Sequence, residues 1–104
     1  MRTFSPKDPG ETIVLGFNFA PDLNSGETLT GSPTLSISLY SGVPDPSMPS
    51  MIVGGGQISS ALVLQTTTLG VSGNNYAVTA TCPTNSGRIL AVGGILPCLA
   101  AALQ

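Results

Sequence analysis

The chain has 104 residues, of which only 8 % are charged: Arg2, Lys7 and Arg88 against Asp8, Glu11, Asp22, Glu27 and Asp45, a formal net charge of −2, with no His and no Trp. Three cations are too few to neutralise a run of phosphates, which argues against nucleic-acid binding by counterion release. Five scattered carboxylates without a single His leave little material for general acid–base chemistry or a zinc site. The expectation is one domain with no catalytic residue, no cofactor and no metal, in a structural or binding role.

Residues 1–10 hold Pro6 and Pro9 and read as a stiff, extended arm suited to lying across another subunit. They lack the apolar segment of a secretory signal, which points to synthesis in a cytoplasm. Over 12–19, Ile13, Leu15, Phe17 and Phe19 alternate with other residues, as in a strand with one buried side. Residues 20–26 carry turn chemistry, and 27–30 read as a short strand. Residues 34–40 alternate most cleanly, with Leu35, Ile37 and Leu39 inward and Ser36 and Ser38 outward. From 41 to 56 the pattern collapses around Pro44, Pro46, Pro49 and Gly54-Gly55-Gly56. That is a long connection for a compact domain; it is expected to pack its apolar residues against a neighbour and to become ordered only on docking.

Residues 57–69 resume strand character and are rich in β-branched residues. Gly73-Asn74-Asn75 is a turn, after which Tyr76, Val78, Ala80 and Cys82 point inward. Residues 83–87 form a hairpin loop, 88–95 the next strand, and 96–104 an apolar tail with at most one helical turn over 99–103. The uncharged run 89–103 falls short of the ~17–20 residues a spanning helix needs and contains Gly93, Gly94 and Pro97, so no membrane span is expected. Six or seven short strands punctuated by Gly and Pro predict an all-β fold. It is a single antiparallel β-sandwich over 11–95, between an extended arm (1–10) and an apolar C-terminal tail (96–104).

Cys82 and Cys98 are expected to be free, buried thiols. Neither Gly54-Gly55-Gly56 nor Gly93-Gly94 is followed by the Lys-Ser/Thr pair and helix of a phosphate-binding loop. No calcium-loop pattern frames the carboxylates. The mean hydropathy is positive, whereas a free domain of this size usually carries a surface with about 25–35 % charged residues. Adjoining protein is the expected cover. Candidate contact residues are the apolar ones in poorly patterned segments: Phe4, Met48, Met51, Ile52, Leu96 and Leu99.

The stretch Gly73-Asn74-Asn75-Tyr76-Ala77-Val78-Thr79-Ala80 resembles the approach to strand F in fibronectin type III and other immunoglobulin-like domains. There a tyrosine corner packs its ring in the core and satisfies a backbone group with its hydroxyl, a role Tyr76 would take. Further short motifs are Lys7-Asp8-Pro9 with Glu11, the strand 14–19, Gly26-Glu27-Thr28-Leu29, Ser72-Gly73 with Tyr76, Val78 and Thr79, and Ser86-Gly87-Arg88. Together they resemble a family of small tailed-phage virion structural proteins of the fiber–tail adaptor type. Similar proteins carry a polar, charged last strand, and the apolar 89–103 departs from that.

The resemblance implies an immunoglobulin-like sandwich assembled in the host cytoplasm into a virion. Several copies, or a homo-oligomeric ring, would join portal, tail, fiber or capsid proteins through sheet edges and apolar termini. A capsid decoration protein on the head exterior is the first alternative. A secreted adhesion or sugar-binding module is the second, and it predicts a Cys82–Cys98 disulfide with exposed aromatic residues.

Overall fold

Alternating apolar and small polar residues build most of the strands. The computed structural model describes residues 2–104, Arg2 through its backbone only. A two-residue β1 (Arg2–Thr3) precedes β2 (Ile13–Asn18), β3 (Thr34–Ser41), β4 (Ile52–Ser59), β5 (Leu62–Thr67), β6 (Asn75–Pro83) and β7 (Ile89–Pro97). Short 3-10 turns lie at Ala20–Asp22, Met48–Met51 and Ala101–Leu103. One sheet has the order β1-β7-β6-β3 and the other β2-β5-β4. All pairings are antiparallel except β1 on β7, which is parallel. With β2, β5 and β4 in the places of strands B, E and D, and β7, β6 and β3 in those of G, F and C, this is an immunoglobulin-type β-sandwich.

The core sits between the two sheets. Tyr76, Val78, Ala80 and Cys82 of β6 meet Phe17, Phe19, Val63 and Met51, all 0 % exposed. Each large apolar side chain so buried contributes roughly 1.5–3 kcal/mol, and no Trp is needed to fill the space. Phe4 closes one side by packing edge-on against Phe17, with ring centroids 5.4 Å apart. Packing loosens toward β3 and β4, whose inward Leu35, Ile37, Leu39, Ile52 and Ile58 are only half-buried.

Several expectations need correction. Residues 27–30 form no strand: Leu29 makes a single bridge to Thr84, flanked by Thr30 N–H on Pro83 C=O at 2.9 Å and Asn85 N–H on Thr28 C=O at 3.0 Å, too short a run to extend into a ladder. Residues 57–69 carry strand character, but not without a break. They divide at a turn where Ser60 takes φ +57°, the end of β4 lying before it and β5 after it. The 41–56 connection is shorter and better fastened than its prolines suggest, since β4 begins at Ile52. Met51 enters the core, Thr68 N–H donates to Met51 C=O at 3.0 Å, and Asn74 pairs with both backbone groups of Val43. These contacts fasten the connection to the core of its own domain. The arm lies along its own β7: Arg2 and Thr3 register with Gly94 and Ile95, and Lys7 with Cys98. β7 itself runs to Pro97, into the segment read as tail.

Gly42 is where the connection leaves β3. Its φ is +125°, and a Cβ there would lie 2.1 Å from Asn74 Oδ1, so a side chain would both strain the backbone and displace Asn74. Gly42→Ala is expected to cost about 1–3 kcal/mol, read as a lower urea midpoint at unchanged slope.

Candidate functional site

The start of β6 forms one end of the sandwich. The alternation that buries Val78 and Ala80 carries the Tyr76 ring into the core and leaves its hydroxyl at the rim. There the hydroxyl accepts from Val71 N–H at 2.9 Å and from Asn74 Nδ2 at 3.2 Å, and donates to Asp45 Oδ2 at 2.8 Å. This is the tyrosine corner, extended by one carboxylate. Burial and the Asp45 bond both push the phenol pKa upward.

Beside it, Lys7 is 0 % exposed. Its Nζ donates to Leu69 C=O at 2.6 Å and Asp8 C=O at 2.8 Å, and no carboxylate of the described residues lies within ion-pair distance. Burial lowers its pKa, while Cys98, Glu11 and Asp8 act the other way. Cys82 and Cys98 are free and buried, and burial raises both thiol pKa values, which makes them poor nucleophiles.

At the opposite end, the β6–β7 hairpin and the β2–β3 connection are joined through Glu27. Its carboxylate accepts from Arg88 Nε at 2.9 Å, Arg88 Nη2, Thr84 Oγ1 at 2.7 Å, Ser86 Oγ and Asn24 N–H at 2.9 Å. Arg88 also donates to Asp22 C=O at 2.9 Å. The Arg88 guanidinium, with help from Asn24, Ser86 and Thr84, holds the Glu27 carboxyl well below the usual carboxylate range. A half-open groove of about 290 Å³ borders the cluster, lined by Leu23, Glu27, Thr28, Leu29, Ile58, Ser60 and Ala61. Glu27 has its oxygens committed to the cluster, so the groove offers mainly apolar and hydroxyl surface. Among the described residues no group of three or more His, Cys, Asp or Glu could hold a metal ion, and no helix is long and apolar enough to cross a membrane.

Between the ends lies a surface without charge: β2 through β7 contain no Lys, Arg, Asp or Glu. On the outer face of the β2-β5-β4 sheet, Val14, Thr66 and Val53 fall in one row by register, with Val14 59 % and Val53 44 % exposed. On the other sheet the rows are small, such as Ser36, Thr79 and Gly93. β4 carries Gly54-Gly55-Gly56 as a bulge between the Val53 and Gln57 pairings. Buried Gln65 stands opposite and spends its amide on Val53 C=O at 2.9 Å, Gly54 C=O at 3.3 Å and Thr66 C=O at 2.9 Å, leaving Oε1 without a partner.

The candidate contact residues are not brought together on one surface. Met51 and Leu96 are 0 % exposed and belong to the core, since each falls on the inward side of its segment. Phe4, Met48 and Ile52 are half-buried and packed against that core, and Leu99 is half-buried beside the arm. The most exposed large apolar residues among those described are instead Ile89, Leu103, Tyr40, Val14 and Val43, between 58 % and 72 % accessible. Strand alternation already contained the signal for Val14, which lies out of phase with Ile13 and Leu15. Comparison of the chain with known protein families, characterised proteins and solved structures finds no match.

Two outcomes test the clusters. Tyr76→Phe leaves Val71 N–H, Asn74 and Asp45 short of a partner, so it should cost about 1–3 kcal/mol, with faster amide exchange at Val71 and in the 43–47 stretch. For Glu27, the folded carboxyl titrates below its ordinary value of 4.5. Its stabilisation is therefore full above that pH and fades as pH falls toward the folded value. The Tm difference between wild type and Glu27→Gln should be largest near neutrality and shrink in acid.

Proposed function

We propose that the chain is a non-enzymatic virion structural protein of a tailed phage, an adaptor joining tail or portal components to fibers or neighbouring subunits. The observation that carries this reading is the absence of charge from β2 through β7. Solitary sandwiches keep Lys, Glu or Pro on edge strands and outer faces to prevent edge-to-edge association, and a sheet surface without them suits permanent contact with other protein. The half-buried inner residues of β3 and β4 add apolar area along one side, which a partner's apolar surface can bury. Many copies supply avidity from individually weak contacts.

The shared motifs support the phage family. Gly26-Glu27-Thr28-Leu29 and Ser86-Gly87-Arg88 meet in one ion pair, and the Ser72-Gly73 stretch with Tyr76 supplies the tyrosine corner. The secreted-module alternative loses support from two free cysteines.

Copy number per particle, from quantitative mass spectrometry of purified virions, tests the proposal. An adaptor is expected in ring stoichiometry with the portal or tail. Abundance equal to the shell protein would replace it with the decoration reading, and absence from particles would overturn both. The isolated chain is expected to self-associate reversibly with rising concentration by analytical ultracentrifugation. A strictly monomeric, non-adhering protein at millimolar concentration would contradict the covered-surface reading.

A further inference from the structure

We propose that the N-terminal arm exchanges between copies of this chain, residues 2–8 of one copy occupying the seat beside β7 of the next. The seat's occupant is visible in the structure, because the arm fills it within its own domain. Phe4 N–H donates to Ile95 C=O at 2.8 Å, Lys7 N–H to Pro97 C=O at 3.0 Å, and Leu99 N–H to Lys7 C=O at 2.8 Å. Phe4 rests on Phe17, and Lys7 reaches Leu69 C=O. Ala101 N–H donates to Asp8 Oδ1 at 2.7 Å. Nothing in this set requires that arm and seat share one chain, so the same bonds form in trans, the condition under which swapping costs little.

Two features make the arm releasable. Among the described residues its regular pairing is two residues plus one bridge, and its docking strips water from an ammonium with no carboxylate within ion-pair distance, a costly burial. Segments held by so few bonds open more readily than the core. The chain then turns back into β2 through one exposed hairpin, where Asp8 N–H donates to Glu11 Oε1 at 2.7 Å, Gly10 N–H to Asp8 Oδ2 at 2.7 Å, and Glu11 N–H to Asp8 C=O at 3.0 Å. Opening this turn, which contains Pro9, lifts β1 from its sheet and leaves the pairings among β2 through β7 in place. Each copy then offers one arm and one vacated seat. Exchange is head-to-tail and yields rings or chains as well as dimers. It concerns this chain alone and stands whether or not the assembly is a virion.

Mixing two variants, each with one cysteine added to the buried Cys82 and Cys98, separates trans from cis. Thr3 and Ile95 are register partners across the β1–β7 pair, at a Cα spacing that a disulfide spans. Thr3→Cys and Ile95→Cys are prepared as separate full-length proteins, mixed at high concentration, equilibrated and oxidised. Exchange predicts a covalent heterodimer on a non-reducing gel, several-fold above that from Thr3→Cys mixed with Ser36→Cys, whose thiol lies on exposed β3. Adding Phe4→Ala to the Thr3→Cys partner should reduce the yield. A heterodimer yield no higher than the Ser36→Cys control, with both variants folded by circular dichroism, overturns the proposal.

Discussion

The Tyr76 hydroxyl is the one polar group on which the irregular half of the molecule depends. A phenol carried into the rim of the core needs partners, and it finds them in two connections: Val71 and Asn74 before β6, and Asp45 after β3. Asn74, oriented by that bond, then pairs with both backbone groups of Val43. The Pro-rich connection is therefore fixed at Val43 and Asp45 before it reaches its 3-10 turn. Once its start is fixed, Met51 falls into the core and β4 begins in register with β5. A segment that composition marks as loose is ordered from outside itself.

Charge is partitioned with similar economy. Apart from Arg2 on β1, every ionised residue lies off the strands. Glu27 is sequestered among four residues that donate to it, and Lys7 among carbonyls, so two of the eight charges contribute almost nothing to solvation of the outer surface. The ends of the sandwich are polar and the flanks are not. In a particle of 44 × 22 × 20 Å, the strands therefore contribute surface without ionised side chains, apart from Arg2.

What the sequence made legible followed from period-two alternation. Phe17, Phe19, Val78, Ala80 and Cys82 could be placed inward because each sits in an uninterrupted run, and the tyrosine corner was readable from Gly73 through Ala80. Interrupted runs misled. Gly54-Gly55-Gly56 hides the first half of β4, because the bulge there is held by the side chain of Gln65, the fourth of six residues in a different strand. Ser60, with positive φ but no Gly or Asn to announce it, concealed the turn that divides β4 from β5. The contact residues failed for a related reason: apolarity in a poorly patterned segment does not separate a side chain that plugs its own core, such as Met51, from one that awaits a partner. Only the three-dimensional path of the connection distinguishes the two.

Edges that carry no charge must be kept from indiscriminate pairing by shape. β4 is broken by its glycine bulge, β3 shifts register between Leu39 and Ser41, and part of β7 is covered by the arm. A bulge is permanent, whereas an arm is a cover that can be lifted. The β7 edge is thus the one whose protection can be withdrawn, and the group that ties the arm to the rim, Lys7, is also the group whose burial opposes docking. Coupling protection of an edge to a residue that resists burial keeps the closed form from becoming too stable to open.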